Sequence, residues 1–344
     1  MPDTFEPEII SITPTSEASV LEGFRSATIR FSESLAVKTV STETFKLFQL
    51  DSGSEIPIDV QLRNNDQLVQ LSFSELPLGS YELVIESDEI TDRAGNILGA
   101  NTFTSKFTIE EATNLVTTNL TQLTPELLAQ TIVGEGITID NVKFTGADEA
   151  AGAFVGGLST GINISKGIIL SSGNIANAIG PNTEDDSSTA FFTPGDSDLN
   201  ELIPQPTNDA VSLEFDFTPE QSEVSFQYVF ASEEYNEFVG EFNDIFAFFI
   251  DGENVALVPN TNQSVAINNV NEDTNSQFYN NNDPGDLGIP TPFNFGFDGF
   301  TTVLTASAEL EASIPHNIKL VIGDANDSAL DSAVFLAASS LSGG

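Results

Sequence analysis

Short runs in which apolar and polar residues alternate, each closed by a turn, constrain this chain more than any other feature. ATIRFSE (27–33), TFKLFQL (44–50), IPIDVQL (56–62), QLVQLSF (67–73), SYELVIE (80–86) and FTSKFTI (103–109) follow one another, separated by DSGSE, LRNND, ELPLG and DRAGN. Side chains two apart along an extended chain share a face, so such runs are strands with one buried side. Repeated roughly every ten residues, they predict an all-β sandwich. The rhythm stops at EEATNLVTTN (110–119), a polar connection. We therefore expect a first domain over residues 1–110, a linker over 111–118 and a second domain over 119–344.

The second part carries GITIDNVKFTG, GIILSSG, AVSLEFDF, EVSFQYVFAS, NDIFAFFIDG, SVAINNV, TTVLTASAEL, HNIKLVIGDA and SAVFLAAS. About ten strands suit a larger, jelly-roll-type β-sandwich. One short helix is predicted over Thr124–Val133. Thr124 can cap it, Pro125 suits its first position and Glu126 suits its positive end. Leu127, Leu128, Ile132 and Val133 form its apolar side, and Gly134 ends it. Long loops are expected at 172–210, 232–243 and 270–299. Within the last, NEDTNSQFYNNNDPGDLG (271–288) reads as too polar to pack, lying over the surface.

Charge narrows the function. The chain has 52 acidic residues against 10 basic ones, a formal net charge of −42. After Lys106 the only basic residues are Lys143, Lys166 and Lys319. With no basic stripe, nucleic acid is excluded as a partner. No stretch is long and apolar enough to span a membrane, and MPDTFEPEII is not a signal peptide. The absence of cysteine removes disulfides and thiol chemistry, and a single histidine, His316, cannot build a multi-histidine metal site.

Two resemblances follow from particular phrases. ATIRFSESL, LPLGSYELVI and ITDRAGNIL make the first part resemble the bacterial Ig-like domains of S-layer and other surface proteins. There the Asp92–Asn96 turn is structural, with Gly95 free to take positive φ and Asp92 bonding nearby amides. GIILSSGN, GDSDLNEL, VSFQYVFASEEYNEFVG and HNIKLVIGDANDSALDSAVFLAASS make the second part closely resemble the choice-of-anchor L domain family. That resemblance implies an exported, cell-surface or extracellular module, calcium-dependent or lectin-like, with no catalytic activity to carry over. Its partner would be a cell-surface or extracellular glycan or protein. The chain stops at SSLSGG without a recognisable sorting tail.

Candidate ligands gather at strand ends. In YVFASEEYNEF, Glu233 and Glu234 point to opposite faces if the strand continues, so they cannot converge as the acid pair of a glycosidase. Calcium suits them better, because it takes six to eight oxygens from carboxylates, carbonyls and water with tolerant geometry. Asn236 and, across the loop, Asn243 and Asp244 would add oxygens. A second set lies in GDANDSALDS: Asp324, Asn326, Asp327 and Asp331. It is not an EF-hand, since Ala329 and Phe335 stand where that loop needs glycine and glutamate. Asp196, Asp198 and Asp298 are further candidates. Loop aromatics (Phe191, Phe192, Phe278, Tyr279, Phe293, Phe295 and Phe297) are expected to anchor loops on the core, with sugar stacking as the alternative. The expected function is a non-enzymatic calcium-binding surface module for adhesion, matrix or surface-layer contact. A calcium-dependent carbohydrate-binding module comes second and a glycoside hydrolase last.

Overall fold

The computed structural model describes residues 4–133 and 137–343. The chain forms two compact units, Met1–Ala112 and Thr113–Gly344. In the first, a four-stranded sheet runs Ile9–Thr13, Ser26–Phe31, Leu68–Ser72, Asp59–Arg63 in spatial order. A five-stranded sheet runs Ala18–Leu21, Phe103–Glu110, Gly79–Ile85, Phe45–Gln49, Ser54–Ile56. All pairings are antiparallel except that of Ala18–Leu21 with Phe103–Glu110. The alternation seen in the sequence becomes the core: Ile29, Phe31, Val69 and Leu71 pack with Phe45, Leu47, Leu83, Ile85 and Phe107. In the DRAGN turn the Asp92 Oδ1 accepts from the amides of Gly95 (2.6 Å) and Asn96 (2.8 Å), and Gly95 has φ +98°.

The second unit has sheets of nine and six strands, all antiparallel. The larger places Lys166–Ser171, Ser332–Ala337 and Glu223–Ser232 side by side at its centre; the smaller does the same with Thr207–Thr218, His316–Ala325 and Ile245–Ile250. Two sheets of this size hold more strands than the sequence suggests, because several are only two or three residues long. Between the sheets lie Leu213, Phe215, Phe226, Tyr228, Phe230, Phe246, Phe248, Leu320, Ile322 and Val334. Each sheet is also covered on its outer face. Val229, Ala231 and Phe335 pack under Phe295, Phe297 and Phe300 on one side. Ile245, Ala247 and Phe249 pack under Leu199 and Ile203 on the other. Burial on both faces explains why IFAFFI is apolar throughout rather than alternating.

The expected helix is present as Pro125–Ile132, with Thr124 as its cap accepting from the Leu127 amide. Gly134, expected to end it, lies outside the described residues. Two one-turn helices, Leu199–Leu202 and Pro284–Leu287, were not expected. The larger correction concerns residues 271–288. This segment does not simply lie over the surface, because Asn271, Asn282 and Asp283 are buried and Tyr279–Asn281 joins the nine-stranded sheet. Its polar side chains fold inward because backbone groups satisfy them: Asn282 Nδ2 donates to the carbonyls of Phe295 (2.9 Å) and Phe297 (3.0 Å).

Candidate metal centre

At one end of the second unit the inward-facing register of several strands runs past its last apolar residue into polar ones. Two residues beyond Leu170 comes Ser172; two beyond Ile322 comes Asp324; two before Phe246 comes Asp244; two before Val334 comes Ser332. Strand pairing lines these ends up, with Ser232 opposite Ser332, Ala333 opposite Ser171 and Ile245 opposite Gly323. The strand carrying Phe226, Tyr228 and Phe230 then delivers Glu233 and Glu234, which are 0% and 1% exposed.

The two glutamates enter different surroundings. Glu234 meets Asp244 and Asp327, whereas Glu233 meets Asp298 and Asp331. Among the Glu234 neighbours, Asp244 is held on both oxygens: Oδ1 accepts from the Ala325 amide (2.8 Å) and Oδ2 from the Ser332 hydroxyl (2.8 Å). Asp324 is the opposite case. It is fully buried, and no donor reaches either of its oxygens. Ser172 lies beside it, but that hydroxyl is directed to the Ser332 carbonyl. One oxygen of Glu234 is likewise without a donor.

Burial of charge without donors drives these acids toward their neutral forms. Burial, and then the neighbouring Asp244, holds Asp324 well above the usual carboxylate range. Burial, then Asp244 and Asp327, pushes Glu234 up to about 9. Asp244 itself is pushed up to about 7 by burial, against the hydrogen bonds from Ala325 and Ser332 that favour its charged form. Glu233 rises to about 11 through burial and the facing Asp298.

Of the residues anticipated from sequence, Glu234 meets Asp244 and the half-buried loop residue Asp327, and Asp244 meets Asp324, so these four share one end of the sandwich. Asp331 is close to both groups but is already saturated. Its Oδ2 accepts from the Thr189 amide (2.9 Å) and from Asn177 Nδ2 (2.9 Å). Asn236 turns away, donating to Asp286 (2.8 Å) and accepting from the Tyr279 hydroxyl (2.7 Å). Asn243 caps the Asn268 amide (2.9 Å), and Asn326 donates to the Glu241 carbonyl (3.1 Å). Asp196 and Asp198 do not join the group at all: each carboxylate sits 2.6 Å from Lys319 Nζ, one of the three lysines of this unit. A basic partner within reach meets their charge need locally. Sequence reading passed over Ser172, Ser332, Asn182, Asn282, Asp209 and Asp283. For Ser172 and Ser332 the signal was the apolar alternation continuing one step past the strand end, legible only once the strands are aligned. Phe295 and Phe297 are core residues, whereas Phe192 is 84% exposed. His316 is structural, its Nδ1 facing Asp251 (2.6 Å) and its Nε2 facing the Glu311 carbonyl (2.9 Å).

Among the described residues, no three acidic or imidazole side chains already surround one point in ligand geometry. A cation here would thus take two carboxylates as anchors and complete its shell with hydroxyl, carbonyl and water oxygens, as calcium does.

The model of the Choice-of-anchor L domain matches residues 115–342, well over half of the chain. The chain belongs to this family. A bacterial Ig-like domain model matches residues 3–109 ahead of it. Among solved structures, PcoC, a methionine-rich copper resistance protein from Escherichia coli, is 21% identical over 31% of this chain and 100% of its own, with a TM-score of 0.26. CopC from Methylosinus trichosporium OB3b is 14% identical over 30% of this chain and 93% of its own, with a TM-score of 0.26. Domains 1–6 of the surface layer protein SbsC are 8% identical over 99% of this chain and 55% of their own, with a TM-score of 0.27. Scores this low carry no argument about the present chain. No curated protein matches it. The choice-of-anchor L membership makes this a bacterial surface-type β-sandwich module, and no helix among the described residues is long and apolar enough to cross a membrane.

Proposed function

We propose that the choice-of-anchor L unit is a non-enzymatic calcium-binding module, displayed at the cell surface for adhesion, matrix or surface-layer contact. The observation that supports it is Asp324: a fully buried carboxylate with neither oxygen satisfied by a hydrogen bond, beside Asp244, which in turn meets Glu234. Leaving a buried charge unpaired costs several kcal/mol, so folds tolerate it where a counter-charge binds. No lysine or arginine faces Asp324. Every nearby donor atom is oxygen, which selects a hard cation, and the irregular mixture suits calcium's variable coordination better than magnesium's strict octahedron. Asp324 and Glu234 would bind directly, with Asp327 and Ser172 at hand to complete the shell. Acids buried between two sheets are beyond the reach of a sugar ring, which favours a structural ion over hydrolysis. The partner is a cell-surface or extracellular glycan or protein, reached through the outside of a calcium-stiffened sandwich.

The test is calcium titration of chelator-treated protein by isothermal calorimetry. Saturable binding in wild type, with one ion fewer in Asp324→Asn, is expected. Wild-type protein that takes up no calcium at millimolar concentration would refute the reading. The adhesive part is tested separately, by retention of the chain on bacterial cell-wall or matrix preparations with and without chelator.

A further inference from the structure

The opposite face of the same strand holds a second set of unmet oxygens. Glu233 is fully buried, and what reaches its carboxylate is Asp298, through its backbone amide and its own carboxyl. The Asp298 Oδ1 accepts from Asn182 Nδ2 (2.6 Å), and apart from Glu233 its buried Oδ2 has no partner. Asp283 is built the same way: Oδ1 accepts from the Gly285 amide (2.6 Å) and the buried Oδ2 is left over. The backbone brings these two aspartates together, because the Asn282 amide donates to the Asp298 carbonyl (2.7 Å) and the Asn282 side chain ties down Phe295 and Phe297. One oxygen fixed by the protein and the other free is how outer hydrogen bonds orient a metal-binding carboxylate. Gly285 is exposed beside this group: an added Cβ there would lie 3.0 Å from Asp283 Oδ1, 3.4 Å from Glu237 Oε1 and 3.7 Å from Asp185 Oδ2.

We propose that Glu233 and Asp298 anchor a second divalent cation of calcium's class, with Asp283 beside Asp298 moving in to complete its shell, on the other side of the sheet from the one beside Asp324. For the identity of the ion this rests on the calcium reading of the inner group; for the existence of a second site it rests on Glu233, Asp298 and Asp283 alone. Glu233 and Glu234 follow the strand end at Ser232 and meet different acids, so one dipeptide sends a carboxylate to each ion. The outer ion fastens the segment 271–299 to the strand Glu223–Ser232. That segment carries no lysine or arginine, so its own acids have no internal counter-charge.

The experiment uses the full chain, stripped with chelator and reloaded with calcium alone, and counts ions by native mass spectrometry. Limited proteolysis of residues 271–299 is read in parallel. Wild type should carry two ions. Glu233→Gln should carry one and be cut within 271–299 whether or not calcium is present. Asp324→Asn should also carry one, yet keep calcium protection of that segment. If Glu233→Gln does not fold, Asp283→Asn serves, since asparagine still caps the helix Pro284–Leu287. An unchanged ion count and unchanged protection in both Glu233→Gln and Asp283→Asn overturn the second site and leave the inner one standing. An unchanged count in Asp324→Asn, with loss in Glu233→Gln, overturns the inner reading and supports this one.

Discussion

Asp92 in the Ig-like unit and Asp324 in the choice-of-anchor L unit are almost equally covered, at 2% and 0% exposed, yet their chemistry is opposite. Asp92 is covered by its own turn near the surface. What burial it suffers is outweighed by hydrogen bonds from Asn96, Gly95 and Ala94, and its carboxyl falls below the usual range. Asp324 lies between two sheets with no donor, and its carboxyl rises well above that range. Low exposure alone therefore says nothing about a ligand. The informative quantity is the number of acceptor oxygens that the protein itself leaves unanswered. The same contrast separates the units as wholes. Seven of the ten basic residues fall in the first, while residues 113–344 carry 33 acids against three lysines. The first unit answers acids with Arg25–Glu75, Lys46–Glu86 and Arg93–Asp66 pairs; the second, beyond Lys143–Glu214 and the two Lys319 pairs, must find its cations elsewhere.

The comparison can be broken most decisively at Asp324. Asp324→Asn should abolish the stabilisation contributed by the inner calcium ion, about 4 kcal/mol at a thousandfold excess over Kd. In chelator the same variant should be no less stable than wild type, since it removes an unanswered charge. Denaturant melts with and without calcium check both arms. Asp92→Ala should destabilise the Ig-like unit, because amides and a side chain lose their acceptor. That cost should be identical with and without calcium, and a calcium-dependent cost at Asp92 would erase the contrast.

The pH response sharpens it further. Glu234 and Asp244 have folded-state values raised to about 9 and about 7 from ordinary values of 4.5 and 3.8. A carboxyl raised on folding contributes no penalty below its unfolded value, and its penalty grows as pH climbs toward the folded value. Calcium-free protein should therefore lose stability as pH rises from the ordinary carboxylate range to about 9, with saturating calcium flattening the loss. Chemical denaturation across that range reads the slope, and a rise with pH in chelator would contradict the assignment. The smallest effect is expected at Lys319. Replacing it with methionine should change stability by about 1 kcal/mol and leave calcium uptake unchanged, because Asp196 and Asp198 lie apart from the centre.

Much of this was legible in the sequence, for physical reasons that differ by residue. Alternation in ATIRFSE and SYELVIE gave strands and a buried face, because period two is set by backbone geometry alone. Thr124-Pro125-Glu126 marked the helix start through capping chemistry that is local in sequence. Glu233 and Glu234 do diverge, but at a bend just past the strand end at Ser232 rather than by strand alternation. What sequence could not supply was which acids already have partners. Asp196, Asp198 and Asp331 look like Asp324 on the page, but Lys319, Asn177 and Thr189 reach the first three from more than a hundred residues away in the chain, whereas the last meets only another acid, Asp244, and the Ser172 hydroxyl. Asp283 and Asn282 were hidden by the polarity of their segment, which is buried because backbone carbonyls of residues 295 and 297 satisfy it.

Differential scanning calorimetry of the whole chain tests the central claim most directly, since each unit supplies its own reference. On going from chelator to millimolar calcium, the transition of residues 113–344 should move upward by several degrees while that of the Ig-like unit stays in place. Two transitions that both ignore calcium would contradict the account.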